Sequence, residues 1–333
     1  MMSRRIRRIL SCLALLLLFF SGCATYQPFD EEAARTTPVD QPSVVPVMAE
    51  AAQKGRTAFI SDDKGVRVPV RIYGEEHMAY PVLMLHGLQS HSGWFVQSAA
   101  HIASLGIPVY QVDRRGSGLS SEPRGHADSY DDMIKDILTV ARYAMKQHGV
   151  DKFHLLGHCF GAIPATAFGV RHPELLQSLL ICTPAIYTKT GVYFREEVQI
   201  VKSELSKNYK YIPIHIDAAQ FTESQTYLRF INDDPLALKQ VTTHLYFQVP
   251  LARHYIKTKM KNLTMPVFMG MAAMDTICDN EENKQFFAEV KSNRKQLIIY
   301  DKAKHILEFS DDRDTFFKDL SAWFLTAGMK PVE

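Results

Sequence analysis

Residues 153–161, Phe-His-Leu-Leu-Gly-His-Cys-Phe-Gly, restrict the folds open to this chain more than any other stretch. A short apolar run from Phe153 breaks at Gly157-His158-Cys159-Phe160-Gly161, and small residues that suit a helix start follow. The pattern is that of a strand-to-helix turn, G-x-S-x-G, with cysteine in the place of serine. In such a turn the central residue takes strained backbone angles, and its side chain projects above the edge of a sheet. Glycines two positions to either side make room, because a Cβ there would strike the neighbouring strand or helix. The N–H groups and positive dipole end of the next helix face the turn, a setting that favours a thiolate. The competing reading makes Cys159 a small buried hydrophobe, the commonest fate of a free cysteine.

The flanking chain supplies the sheet that such a turn requires. Residues 57–61 and 66–73 alternate as a hairpin about Asp62-Asp63-Lys64-Gly65. Stretches 81–85, 108–112, 179–182, 266–271 and 296–300 are short apolar strands; the run 81–85 is continuous, as in a strand covered on both faces. Helices are predicted near 95–105, 128–148 (capped by Asp128 or Ser129), 280–290 and 314–326. Alternation of this kind gives a parallel sheet wound by right-handed crossovers, with ligands at the carboxyl ends of the strands. His86, Asp113 and Cys159 each lie just past a strand end and so share one rim. Residues 185–262 interrupt the alternation, read as mostly helical and are dense in aromatics, Tyr187, Phe221 and Tyr246 among them. Within them Asn232-Asp233-Asp234-Pro235-Leu236 reads as a helix start, with an acidic cap and proline at the first position.

Three loops then stand in order: His86-Gly87-Leu88-Gln89-Ser90-His91-Ser92-Gly93, Asp113-Arg114-Arg115-Gly116-Ser117-Gly118-Leu119-Ser120, and the Cys159 turn. Their order and spacing resemble the α/β-hydrolases, and within them the monoacylglycerol lipase and lysophospholipase-like branch, also labelled serine aminopeptidase S33-like. The resemblance runs from about residue 56 to 326. It implies an α/β-hydrolase fold, a mostly parallel central sheet flanked by helices, in a domain over 51–333 with a helical cap insertion at about 185–262.

In that fold the chain order is nucleophile, acid, histidine, which here reads Cys159, Asp275, His305. A thiol attacking a carbonyl needs a base, and the base an orienting group; His305 takes the first role and Asp275 the second. The loop Thr183-Pro184-Ala185, where some hydrolases carry the acid, has no carboxylate, and Asp279 is the nearest rival to Asp275. The resemblance places an oxyanion hole at the backbone N–H groups of Leu88 and Phe160. His86 is expected to shape the oxyanion loop and Asp113 to tie its own turn, while His158 receives no catalytic role.

Cysteine is the departure from the family, whose usual activity is carried by serine. Dienelactone hydrolases and polyhydroxyalkanoate synthases accept cysteine at this place, and the intermediate becomes a thioester. Three readings stay open: hydrolysis of an ester or thioester of an apolar acid, acyl transfer through the same acyl-enzyme, and a non-catalytic binding module. The partner expected is a small acyl ester or lipid-like molecule, and no metal or organic cofactor is implied.

The N-terminus adds a location. Arg4, Arg5, Arg7 and Arg8 precede an apolar stretch over 9–20 and then Ser21-Gly22-Cys23, a secretory signal by its regions. Its cysteine makes it resemble a bacterial lipoprotein signal, 1–23, lipidated at Cys23. Ala24 in place of aspartate implies the outer membrane, with the domain facing the periplasm in the cell envelope. Residues 24–50, with Pro28, Pro38, Pro42 and Pro46, read as a flexible tether. Those four arginines belong to the 38 basic residues, so the rest carry 34 against 36 acidic ones. With no basic stripe left, nucleic acid is not an expected partner. Cys182 and Cys278 form a pair or stay free; the sequence leaves this open, and it leaves the oligomeric state open too.

Overall fold

The computed structural model describes residues 45–61 and 65–327. The signal segment with Cys23, the tether as far as residue 44, and 62–64 of the hairpin turn lie outside the described residues. Helix α1 (Pro46–Gln53) leads into an antiparallel hairpin of β1 (Gly55–Ser61) and β2 (Arg67–Tyr73). Then come β3 (Val82–Leu85), α2 (Val96–Ser104), β4 (Val109–Val112), α3 (Tyr130–His148), β5 (Phe153–His158), α4 (Ala162–Arg171) and β6 (Leu176–Cys182). The chain leaves the sheet through α5 (Phe194–Ser206), β7 (Tyr211–Pro213), α6 (Gln225–Asp233), β8 (Gln240–Thr242) and α7 (Thr243–Lys259). It returns with β9 (Val267–Ala272), α8 (Asn280–Glu289), β10 (Lys295–Tyr300) and α9 (Arg313–Ala327).

The eight-stranded sheet runs β1-β2-β4-β3-β5-β6-β9-β10. Only the pairings β1–β2 and β2–β4 are antiparallel; every other neighbour is parallel, so the strand ends from β3 to β10 open on one rim. Strands β3, β4, β5 and β9 are buried at every residue, because helices cover both faces of the sheet, and their sequences are accordingly mostly apolar, with Gln111, His154 and His158 as the buried polar exceptions. Helix α3 follows its sequence signals closely. Ser129 Oγ accepts the Asp132 N–H at 3.1 Å at one end, and Gly149 ends the helix at φ +61°.

Three expectations change. The tether predicted over 24–50 does not reach 50: residues 46–50 are helical, and Val45 and Met48 are buried as α1 packs on α2. Pro46 at the first helical turn is a start signal there rather than one more extended proline. The cap is mostly helical as expected, but β7 and β8 add an antiparallel ribbon between its helices that the period did not show.

The third correction concerns Asp234-Pro235-Leu236, which ends α6 instead of opening a helix. Proline disfavours the helical region for the residue before it, and Asp234 sits at φ −71°, ψ 111°. Its carboxylate turns into the body. There it accepts from His91 Nε2 at 3.0 Å, from the Trp94 indole N–H at 2.5 Å and from its own turn at Leu236 N, 2.9 Å. One buried acid thus pins the cap to the loop after β3. Asp234→Ala leaves these three donors without their acceptor and is expected to destabilise the protein by about 2–4 kcal/mol in urea unfolding. The same variant should expose Cys159 to thiol reagents faster; an unchanged midpoint and labelling rate would contradict the pinning role.

Candidate active site

Cys159 lies between β5 and α4 with φ +53°, a left-handed conformation uncommon for a residue with a side chain. Tight packing enforces it. A Cβ on Gly161 would lie 2.5 Å from the Leu85 carbonyl oxygen, and one on Gly157 would lie 2.6 Å from the Gly161 oxygen. The backbone on both sides of the thiol is therefore fixed by close approach, and the Cys159 carbonyl accepts the Ala185 N–H at 3.0 Å.

Asp275 follows β9 and His305 follows β10, adjacent strands that deliver both to the rim. His305 Nδ1 donates to Asp275 Oδ2 at 2.8 Å, and both side chains are fully buried. The other carboxylate oxygen accepts the N–H groups of Ile277 (2.8 Å) and Cys278 (3.0 Å), which orients the acid rigidly. His305 Nε2 is buried without a hydrogen-bond partner, and His305 shares with Cys159 a small cavity of about 10 Å³. Burial works against charge on His305, but the Asp275 carboxylate, helped by Cys159 and Cys278, carries its pKa well above the ordinary imidazole value. Burial likewise pushes Asp275 up, and the charge and hydrogen bond of His305 outweigh it, leaving that carboxyl below its usual range. Asp279, the rival acid, instead caps α8 by accepting the Glu282 N–H.

Leu88 and Phe160 flank the thiol by chain position and packing. A Cβ on Gly87, the residue before Leu88, would come within 3.2 Å of Cys159 Cβ and 3.5 Å of its Sγ. Arg114 ties the two together: its guanidinium donates to the Leu88 carbonyl at 2.6 Å and lies 5.2 Å over the Phe160 ring. Burial and Arg124 lower the Arg114 pKa to about 9. The signal for Arg114 was its place in the 113–120 loop, though nothing in the residue string named its target.

The supporting histidines sort by their partners. His86 Nε2 accepts the Arg114 N–H at 3.2 Å, so Nδ1 carries the proton and donates to the Gly87 oxygen at 2.8 Å. Burial and Arg114 depress its pKa to about 3. Asp113 accepts from Ser92 N and Leu119 N, at 2.7 and 2.9 Å, and so ties two loops rather than its own turn alone. His158 pairs with Thr183 Oγ1 at 3.0 Å and stands edge-on to His305, ring centres 5.4 Å apart; burial and then His305 push its pKa well down.

Cys182 and Cys278 are both free and buried, which closes the question of their pairing. The Cys278 thiol donates to the Thr183 oxygen at 3.1 Å and lies 3.9 Å from His305 Nδ1. Asp275, Cys278 and His305 bring ligand atoms within 4.8 Å of one another, close enough to share a metal ion. Each of those atoms already holds a hydrogen-bonding role, so a cation there would displace the Asp275–His305 bond. A second cavity, about 20 Å³, shares Phe95 and His158 with the one at the thiol. Glu308 lines it, a buried acid that the sequence reading missed; burial, only partly offset by the Ser98 hydroxyl, pushes its carboxyl up to about 8.

No helix among the described residues is long and apolar enough to cross a membrane. The family model described as serine aminopeptidase, S33, matches residues 76–312. Human monoglyceride lipase is 23% identical over 251 residues, covering 73% of this chain and 81% of that protein. The monoacylglycerol lipase of Mycolicibacterium smegmatis is 22% identical over 252 residues, covering 74% of this chain and 88% of that protein. Among solved structures, a soluble variant of the Saccharomyces cerevisiae monoglyceride lipase superposes with a TM-score of 0.72 at 19% identity, over 83% of this chain and 96% of that one. The architecture is the α/β-hydrolase fold.

Proposed function

The chain belongs to the serine aminopeptidase S33 family, and from that membership we propose that it is an ester hydrolase of the monoacylglycerol lipase type working through a Cys159 thioester. The buried Asp275–His305 pair beside a thiol held at positive φ carries the reading. His305 takes the thiol proton at Nε2 while Asp275 fixes Nδ1–H and stabilises the imidazolium. The thiolate attacks the ester carbonyl, and the negative charge that develops on oxygen is met by the N–H groups of Phe160 and Leu88, each worth roughly 3 kcal/mol in the transition state. Collapse breaks the bond to the alkoxy oxygen, which leaves with the His305 proton. Water, deprotonated by His305, then attacks the thioester, releasing the acid and restoring the thiol.

The substrate is an ester of an apolar acid, taken up beneath the cap; Ile216 and Phe221 of the cap line the cavity over Cys159. Lipidation at Cys23 would hold the domain at the bacterial envelope, a placement that rests on the N-terminal signal alone.

The test follows 4-nitrophenyl esters of short and medium acids on the fragment from residue 45, with intact-mass detection of an acyl adduct. Turnover with a transient adduct on Cys159 is the expected result. An adduct that persists until an alcohol is added would favour acyl transfer. Folded protein with neither turnover nor adduct would leave a binding module as the better description.

A further inference from the structure

We infer that Gln89 is a specificity-determining residue, whose amide oxygen accepts a hydrogen bond from a hydroxyl or N–H on the substrate close to the scissile carbonyl. The inference rests on the hydrolase reading of the site and adds a chemical demand on what enters it. Gln89 lies one residue past Leu88, is nine-tenths buried and lines the cavity shared by Cys159 and His305. Its amide N–H donates to the Ile216 carbonyl at 3.3 Å, and its backbone oxygen accepts the Leu238 N–H at 2.8 Å. Since a carbonyl can only accept, that contact fixes which end of the amide faces Ile216. The remaining end, Oε1, is buried with no hydrogen-bond partner.

An orphaned amide oxygen in a closed site destabilises it unless something bound there donates to it. Of the other polar groups of the lining, His158 Nδ1 is also buried without a partner, and the rest are engaged or assigned. Ser90 Oγ accepts the Gly87 N–H at 2.9 Å, His158 belongs to the wall facing the second cavity, and His305 Nε2 serves the thiol. Gln89 is therefore held by the cap at one end and carries an unpartnered acceptor at the other, in a cavity that Cys159 also lines. A substrate that brings a donor satisfies it; an isosteric apolar one leaves it unpaired, and buried unpaired groups of this kind are how enzymes reject analogues lacking a hydroxyl.

The experiment compares kcat/KM within two isosteric ester pairs on wild type, Gln89→Leu and Gln89→Met. One pair carries the hydroxyl on the alcohol part, 2-hydroxyethyl butanoate against propyl butanoate. The other carries it on the acid part, ethyl 3-hydroxybutanoate against ethyl 3-methylbutanoate. A ratio within one enzyme is insensitive to the fraction folded. Wild type should prefer the hydroxy member of one pair by about tenfold or more, and either variant should bring that ratio to within about twofold of unity. Turnover of all four esters with no preference in wild type, or a preference that survives Gln89→Leu, overturns the assignment while leaving the hydrolase reading intact. Should both variants be inactive, the wild-type ratios alone decide. No turnover of any ester in wild type sinks the hydrolase reading and the Gln89 assignment with it.

Discussion

Cys159→Ala is expected to lower kcat on an activated ester by about 10⁴-fold or more and to abolish the acyl adduct. Alanine keeps the left-handed backbone at this position no worse than cysteine, and the glycines that frame the turn are untouched. His305 and Asp275 keep their bond, and Phe160 and Leu88 keep their N–H groups, so the variant retains every part except the thiol proposed to form the covalent bond. Residual activity then measures binding and oxyanion stabilisation alone. An unchanged thermal midpoint shows that the fold persists. Turnover retained within a factor of a few would remove Cys159 from the chemistry and leave it as core.

Asp275→Asn is expected to reduce kcat/KM by about 10³- to 10⁴-fold with little loss of fold. Asparagine still accepts the Ile277 and Cys278 N–H groups through its oxygen, but its amide then points N–H at His305 Nδ1, where the carboxylate oxygen now accepts. The imidazole is driven to the other tautomer, with its proton on Nε2, where it cannot take one from the thiol. A pH effect accompanies the loss. In the native protein Asp275 raises the His305 pKa, so the imidazolium that faces the thiolate and protonates the leaving alkoxy oxygen persists to higher pH, and the decline of activity that follows its deprotonation comes late. Removing the charge lowers that pKa and moves the alkaline limb of the kcat/KM profile to lower pH. A limb that stays in place would mean that another group sets it.

How far the sequence anticipates this arrangement depends on whether a signal is local. The Cys159 turn declares itself because glycine spacing, an apolar strand and a small-residue helix lie within a dozen residues. Asp275 and His305 are legible only through chain order, and sequence cannot show that Asp279 instead caps α8. The cap is legible in composition and obscure in form. A ribbon of three-residue strands, Tyr211–Pro213 against Gln240–Thr242, is too short to carry a period. Asp234-Pro235 misleads for a sharper reason: an acid before proline suits a helix cap and a turn alike, and the choice is made by His91 and Trp94, more than a hundred residues away in the chain. Gln89 and Arg114 were silent for the same reason, since their meaning lies in partners that folding brings to them.

The segment above Cys159 has a kinetic consequence. Ile216 and Phe221 line the cavity at the thiol, and the Ile306 N–H holds the Phe221 carbonyl at 3.1 Å, directly after His305. A space of about 10 Å³ admits at most one water molecule and no acyl chain. An acyl ester would enter only with this strap displaced, so a substrate would meet a receptive site only in the fraction of time that it is. Apparent affinity is the intrinsic affinity multiplied by that fraction, so two variants with identical chemistry at Cys159 can differ in KM through their duty cycle alone.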